Sequence, residues 1–159
     1  MSLSLRPARP GEAGLILDFV RELAAYERLL DHVEAGVADI DAALFGPNPR
    51  AFCDIAEWDG QPAGIALWFY TFSTFRGRHG LYLEDLFVRP EFRGKGIATR
   101  LMRHLAQRCA REGLGQFTWS VLNWNDPAIT FYRSIGAVPV TEWTGQRLSG
   151  DALRALAEG

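Results

Sequence analysis

Ile16, Phe19, Val20, Leu23 and Ala24 recur at helical spacing, which predicts an amphipathic helix over residues 11 to about 30 with Tyr26 and Glu27 near its end. Leu3 to Pro7 reads as a short edge strand before it, and Pro10 suits the first turn of the helix. The shorter repeat Val37, Ile40, Ala43, Leu44 predicts a second helix, stopped by Gly46-Pro47-Asn48-Pro49. Two apolar runs, Ala51 to Trp58 and Ala63 to Phe72, flank Asp59-Gly60-Gln61-Pro62 and predict an antiparallel hairpin. Leu81 to Val88 is a further strand, bounded by Gly80 and Pro90. Ile97, Leu101, Leu105 and Cys109 repeat every fourth residue up to Gly113, so a helix begins inside a glycine-containing loop. Phe117 to Leu122 is rich in strand formers, and Asn125-Asp126-Pro127 opens a short helix ending near Gly136. Val138 to Val140 and Trp143 to Leu148 read as strands, and Asp151 to Ala157 as a last small helix. No repeat or linker interrupts this order, so residues 1–159 read as one α/β domain.

Composition narrows the class. A chain of 159 residues, 48% hydrophobic and 23% charged, can build a core without staples and is neither collagen-like, coiled-coil nor disordered. No apolar run reaches the roughly 20 residues of a membrane span, and the N-terminus lacks a signal-peptide pattern, so no membrane partner and a cytoplasmic location are expected. Cys53 and Cys109 are too few for a disulfide framework and lack zinc-ligand spacing. His32, His79 and His104 are scattered without ligand spacing, so no metal site is expected.

The net charge of −2 conceals two opposed blocks. Residues 12–41 hold eight acids against Arg21 and Arg28, a local balance of −6, and residues 86–111 hold seven bases against Glu91, a balance of +6. Such asymmetry points to ligand groups of opposite sign, although both blocks also read as solvated faces of amphipathic helices. The basic block is accounted for by a single phosphate site, so nucleic acid is not expected as a partner.

That phosphate site is the stretch from Leu81 through Thr99, where a strand enters a loop containing Gly94 and Gly96 and a helix starts at its end. Free N–H groups at a helix N-terminus, closely approached because glycine has no side chain, bind phosphate readily. The Walker pattern is absent, because Lys95 precedes Gly96 and Ile97 follows it. The dinucleotide pattern is half met, with Thr99 in its third glycine position and too little chain remaining. The pattern Q/R-x-x-G-x-G/A is met in full by Arg93, Gly96 and Ala98.

With this loop the sequence resembles the GCN5-related N-acetyltransferases (GNAT). Arg21-Glu22-Leu23-Ala24-Ala25-Tyr26-Glu27, Leu81-Tyr82-Leu83-Glu84-Asp85, and Val121 through Tyr132 followed by Gly136-Ala137 are similar to the branch acting on diamines (spermidine, spermine) and thialysine. The resemblance implies a single-domain α/β fold, with a mixed, mostly antiparallel central sheet flanked by helices and splayed central strands. It also implies acetyl-CoA as co-substrate, a primary amine on a small molecule as acceptor, direct transfer in a ternary complex, and a homodimer.

The chemistry asks for a neutral amine, a polarised thioester carbonyl and an acid for the departing thiolate. Alkylamines have pKa values near 10.4, so at pH 7 only about one in a few thousand is neutral and a base is useful. Glu84 and Asp85 are adjacent in a strand and alternate, so one of the two faces the core or a cleft, where desolvation would raise its pKa. By resemblance Glu84 is the acidic catalytic residue at the acceptor site, Tyr132 the acid that protonates sulfur, and Tyr26 and Glu27 line the amine pocket. Resemblance further assigns backbone groups near Leu86, Phe87 and Val88 to the acetyl and pantetheine arm. It assigns Arg93, Gly94, Lys95, Gly96, Ile97, Ala98 and Thr99 to the pyrophosphate, and Asn125 and Pro127 to the second cofactor segment. The segment Phe72 through Arg78 carries Thr74 and Arg76 where the polyamine enzymes carry an acid and an aromatic, and it looks more like the branch acting on thialysine; Arg76 and Arg78 at the acceptor mouth would disfavour a long polycation and welcome a carboxylate. Trp143 falls near a pocket aromatic of the family only across a gap. A non-catalytic acyl-CoA sensor and a protein amine acetyltransferase are the alternative readings.

Overall fold

A computed structural model describes residues 2–159, which divide into two compact units, one running through Ser120 and the other Val121–Gly159. The first unit holds a sheet of five strands in sequence order: β1 (Leu3–Pro7), β2 (Phe52–Trp58), β3 (Gln61–Ser73), β4 (Arg78–Val88) and β5 (Phe117–Trp119). All neighbours are antiparallel except β4 and β5, which are parallel. Asp59 and Gly60 both have positive φ, at 49° and 80°, and join β2 to β3 in the two-residue turn whose twist suits a hairpin.

Helix α1 (Ala13–Tyr26) and helix α2 (Val37–Phe45) cover one face of the sheet. Ile16, Phe19 and Leu23 of α1 and Leu44 of α2 pack on Cys53, Ile55, Ile65, Leu67 and Phe87. Burying each large apolar side chain of this kind contributes about 1.5–3 kcal/mol. Helix α3 (Ile97–Glu112) packs against β2, β3 and β4 on the alternate positions: Arg108 lies over the Trp68 ring at 4.8 Å, and Glu112 accepts from the Tyr70 hydroxyl at 2.6 Å. Asp54, buried on that side, accepts from Trp68 Nε1 at 2.9 Å and lies 3.5 Å from His104 Nε2, so His104 belongs to a packing network. Gly113 ends α3 in the left-handed conformation, as its place in the sequence implies.

Three expectations change. The first helix ends at Tyr26, and the chain then turns through Arg28 at φ 62° into a 3-10 turn, Leu30–His32. Strand β4 starts at Arg78, before Gly80, because a four-residue turn folds β3 straight back onto it; at Gly80 an added Cβ would lie 2.8 Å from Thr71 Oγ1. In the second unit only helices α4 (Asp126–Ser134) and α5 (Gly150–Glu158) form, and neither Val138–Val140 nor Trp143–Leu148 is a strand. Strand-forming side chains are not sufficient where the backbone has no neighbouring strand to pair with.

Candidate active site

The pairing of β3 with β4 contains one irregularity, and it falls on the acidic pair. Leu67 lies opposite Asp85 and Trp68 opposite Leu83, which leaves Glu84 as an extra residue in a β-bulge. Leu67 and Trp68 are adjacent and so face opposite sides of the sheet; their partners Asp85 and Leu83 therefore do too, although they are two residues apart. The simple alternation expected of Glu84 and Asp85 is broken at this point. Asp85 joins Cys53 and Leu67 in one row across three strands, with Phe87 two residues further along the same face. Glu84 is exposed, whereas Asp85 is partly buried at the margin of the apolar cluster under α1.

Glu27 caps α1 one turn beyond the buried Leu23, whose carbonyl accepts its N–H at 2.9 Å. Burial raises the Glu27 carboxyl above its ordinary range. Loss of solvent and then the charges of Glu84 and Glu27 push Asp85 up to about 7. The three carboxylates thus form one electrostatic cluster. Beside it the Arg93 guanidinium lies 5.2 Å from the Tyr26 ring and 5.5 Å from the Phe87 ring, while Arg93 Nε donates to the Val88 carbonyl at 3.0 Å. Arg93 therefore ties the start of the glycine loop to the end of β4 and to the end of α1, and Lys95 Nζ stands 5.0 Å over the Trp58 ring.

Beyond the acids two features suit a long phosphorylated ligand. Strand β5 pairs with β4 only over Leu81–Leu83, so the strand pair is open along Leu86, Phe87 and Val88, where alternate backbone groups point away from β3. At the loop, Gly94 and Gly96 both take the left-handed conformation, with φ 76° and 77° and open space where a Cβ would stand. Gly96 caps α3, and Arg100 is the first donor bonded back to Gly96, so the N–H groups of Ile97, Ala98 and Thr99 lie in the unpaired first turn. This backbone cradle fits a pyrophosphate.

In the second unit Asn125 is buried and its Oδ1 accepts from Ala128 N at 3.4 Å, which makes it the cap of α4, with Pro127 in the first turn. Tyr132 lies on the same helix, partly buried, its ring 5.5 Å from that of Phe131. Trp143 is 75% exposed in an irregular segment. Arg76 and Arg78 line a cavity of about 290 Å³ with Leu114 and Gly115, at the beginning of β4. Glu84 lies six residues along the strand from Arg78, about 20 Å, so the structure does not bring these arginines to the acidic cluster. Of the two acids, one of which is expected to face the core or a cleft, the desolvated one is Asp85, which the sequence marks only as a second acid in an otherwise apolar strand.

No group of three or more His, Cys, Asp and Glu among the described residues is arranged to hold a metal ion. The Acetyltransferase (GNAT) family model matches residues 17–137. The chain is 38% identical over 167 aligned residues to thialysine N-epsilon-acetyltransferase of Sus scrofa, covering 98% of both chains. It is 35% identical to L-ornithine N5-acetyltransferase NATA1 of Arabidopsis thaliana over 74% of this chain and 51% of that one. A solved integron cassette protein of V. cholerae superposes with a TM-score of 0.82 at 27% identity, covering 100% of this chain and 99% of that one. The α/β fold with its mixed sheet, the glycine loop leading into α3 and these likenesses agree, and the chain belongs to the GNAT family as an N-acetyltransferase.

Proposed function

We propose that the protein transfers acetyl from acetyl-CoA to the primary amine of a small lysine-like amino acid or diamine, by direct attack with both substrates bound. The observation that carries this reading is the division of labour along β4. Its bulge holds Glu84 and Asp85, on which Glu27 of α1 also acts electrostatically, a set of acids that attracts an ammonium group, and its open end leads to the glycine cradle. The relatives named for thialysine and ornithine support an amine on a short side chain.

Acetyl-CoA supplies the activated acetyl group as a thioester. Gly94, Gly96 and the first-turn amides of Ile97, Ala98 and Thr99 hold its pyrophosphate, with Arg93 and Lys95 shaping the loop and adding positive charge. Backbone groups of Leu86, Phe87 and Val88 hold the acyl arm and polarise its carbonyl, a contribution of several kcal/mol where donors are preorganised. Asn125 and Pro127 start the helix carrying Tyr132, and Tyr132 donates its phenolic proton to the departing sulfur, a role suited to a group protonated at neutral pH. Tyr26 and Glu27 line the acceptor pocket, and Glu84 meets the ammonium there.

Thiol release from acetyl-CoA with thialysine, lysine, ornithine, putrescine and spermidine tests this reading. Turnover with an amino acid or diamine supports it, and release with none overturns it in favour of an acyl-CoA-binding module. We further propose a cytoplasmic homodimer. The two free thiols and the exposed side chains of Val138, Val140, Trp143, Leu153 and Leu156 support this, since a second copy would cover the latter. Sedimentation at micromolar protein tests the dimer, and a monomer mass refutes it.

A further inference from the structure

We infer that Asp85, the neighbour of the expected base, is the group that takes the proton from the acceptor ammonium, while Glu84 and Glu27 hold that ammonium in place. The inference rests on the acetyl-transfer reading above and deepens it.

Its ground is the bulge. In a regular strand Glu84 and Asp85 would point to opposite faces, and only one would see the acceptor. With Glu84 as the extra residue, Leu83 and Asp85 fall on opposite faces and the strand bends at Glu84, so the simple alternation no longer sets the two carboxylates on opposite sides. Asp85 then sits between an apolar floor and an acidic rim. On its own face lie Leu67 opposite it, Cys53 one strand further and Phe87 two residues along. The rim is Glu84 on β4 and Glu27 at the end of α1.

The charged and titratable groups facing Asp85 are these two acids and, from β2, the Cys53 thiol, which burial keeps protonated. Of the arginines on that side, Arg93 stands at Phe87 and donates its Nε to the Val88 carbonyl, Arg89 lies over the Phe19 ring and is paired with Glu22, and Arg6 is paired with Glu12 and Glu57. Desolvation and like charge therefore act on Asp85 together and bring it to about 7, where a general base works at neutral pH. Exposed Glu84 suits the complementary task of attracting a cation.

In the step proposed, an N–H bond of the ammonium breaks as an O–H bond forms on the Asp85 carboxylate, and the freed nitrogen lone pair attacks the thioester carbonyl. The nitrogen gives up two protons in all. One is balanced by the proton that Tyr132 places on sulfur, and the other leaves to solvent, so ammonium and thioester become amide, thiol and one released proton.

The test is the pH dependence of kcat/KM for the amine at saturating acetyl-CoA, between pH 5.5 and 9.5, with two amines of different basicity. The wild type is expected to show a rising limb near pH 7 at the same position for both amines, because kcat/KM reports the free enzyme's base. Asp85→Asn should remove the limb and lower kcat/KM about 100-fold or more. Glu84→Gln and Glu27→Gln should keep the limb and move it to lower pH, since each removes a negative charge that raises Asp85. A limb unchanged in Asp85→Asn, or one that disappears in Glu84→Gln, overturns the inference. Should Asp85→Asn fail to fold, the two glutamine variants decide by the same criterion. Absence of turnover by the wild type with every amine overturns the functional reading itself, a different result from turnover with an unaltered limb.

Discussion

Asp85 should leave a mark on stability that needs no substrate to observe. Its carboxyl is raised from 3.8 to about 7 in the fold, so between those values the folded chain binds more protons than the unfolded one. Stability contributed by the protonated group is fully present below the unfolded pKa and is lost as pH rises through the folded pKa. The slope over that window is about 1.4 kcal/mol per pH unit, so from pH 5 to pH 7 the full effect is about 3 kcal/mol. Partial exposure of Asp85 lets solvent relieve some of the penalty, and about 2 kcal/mol is the working expectation. Asp85→Asn, which keeps the shape and cannot ionise, should match the wild type only below about pH 4, and its advantage should grow by about that amount between pH 5 and pH 8. Urea unfolding of both proteins at pH 5, 6, 7 and 8 reads this directly, as a midpoint difference that grows with pH at unchanged slope. A difference constant with pH, or one that grows toward acid, would refute the placement of Asp85 in a desolvated, negatively charged niche.

Three further outcomes are expected. Tyr132→Phe should bind coenzyme A as the wild type does and lose about tenfold or more in kcat, measured by calorimetry and steady-state turnover; unchanged turnover removes Tyr132 from the mechanism. Gly96→Ala, at φ 77°, forces a side chain into the left-handed region at a cost of about 1–2 kcal/mol, so the KM for acetyl-CoA should rise about tenfold while that for the amine hardly moves. Arg76→Ala and Arg78→Ala, at the far end of β4, should leave the KM of a carboxylate-bearing amine within about twofold of wild type, since some 20 Å of strand separates Arg78 from the acids. A tenfold rise would return them to the acceptor site.

Local chemistry made most elements legible. The four-residue repeat ending at Gly113 and the Asp59-Gly60 turn depend on neighbours in sequence, and they stand where their patterns put them. So does the glycine loop, because positive φ at Gly94 and Gly96 is a demand on residue type that composition reveals. The stretch from Val138 to Leu148 failed for the opposite reason: a strand is a relation between segments, and its residues show only readiness to pair.

The sequence by itself determined the family, the glycine loop at the start of α3 and the presence of two adjacent acids. Only the tertiary structure decided which acid is desolvated. That choice turns on one unpaired residue in the register of β3 against β4, on burial of Asp85, and on the charge that Glu27 at the end of α1 adds to that of Glu84. Register and helix placement arise from side chains far apart in sequence, and the basicity of a carboxylate follows from what surrounds it in space.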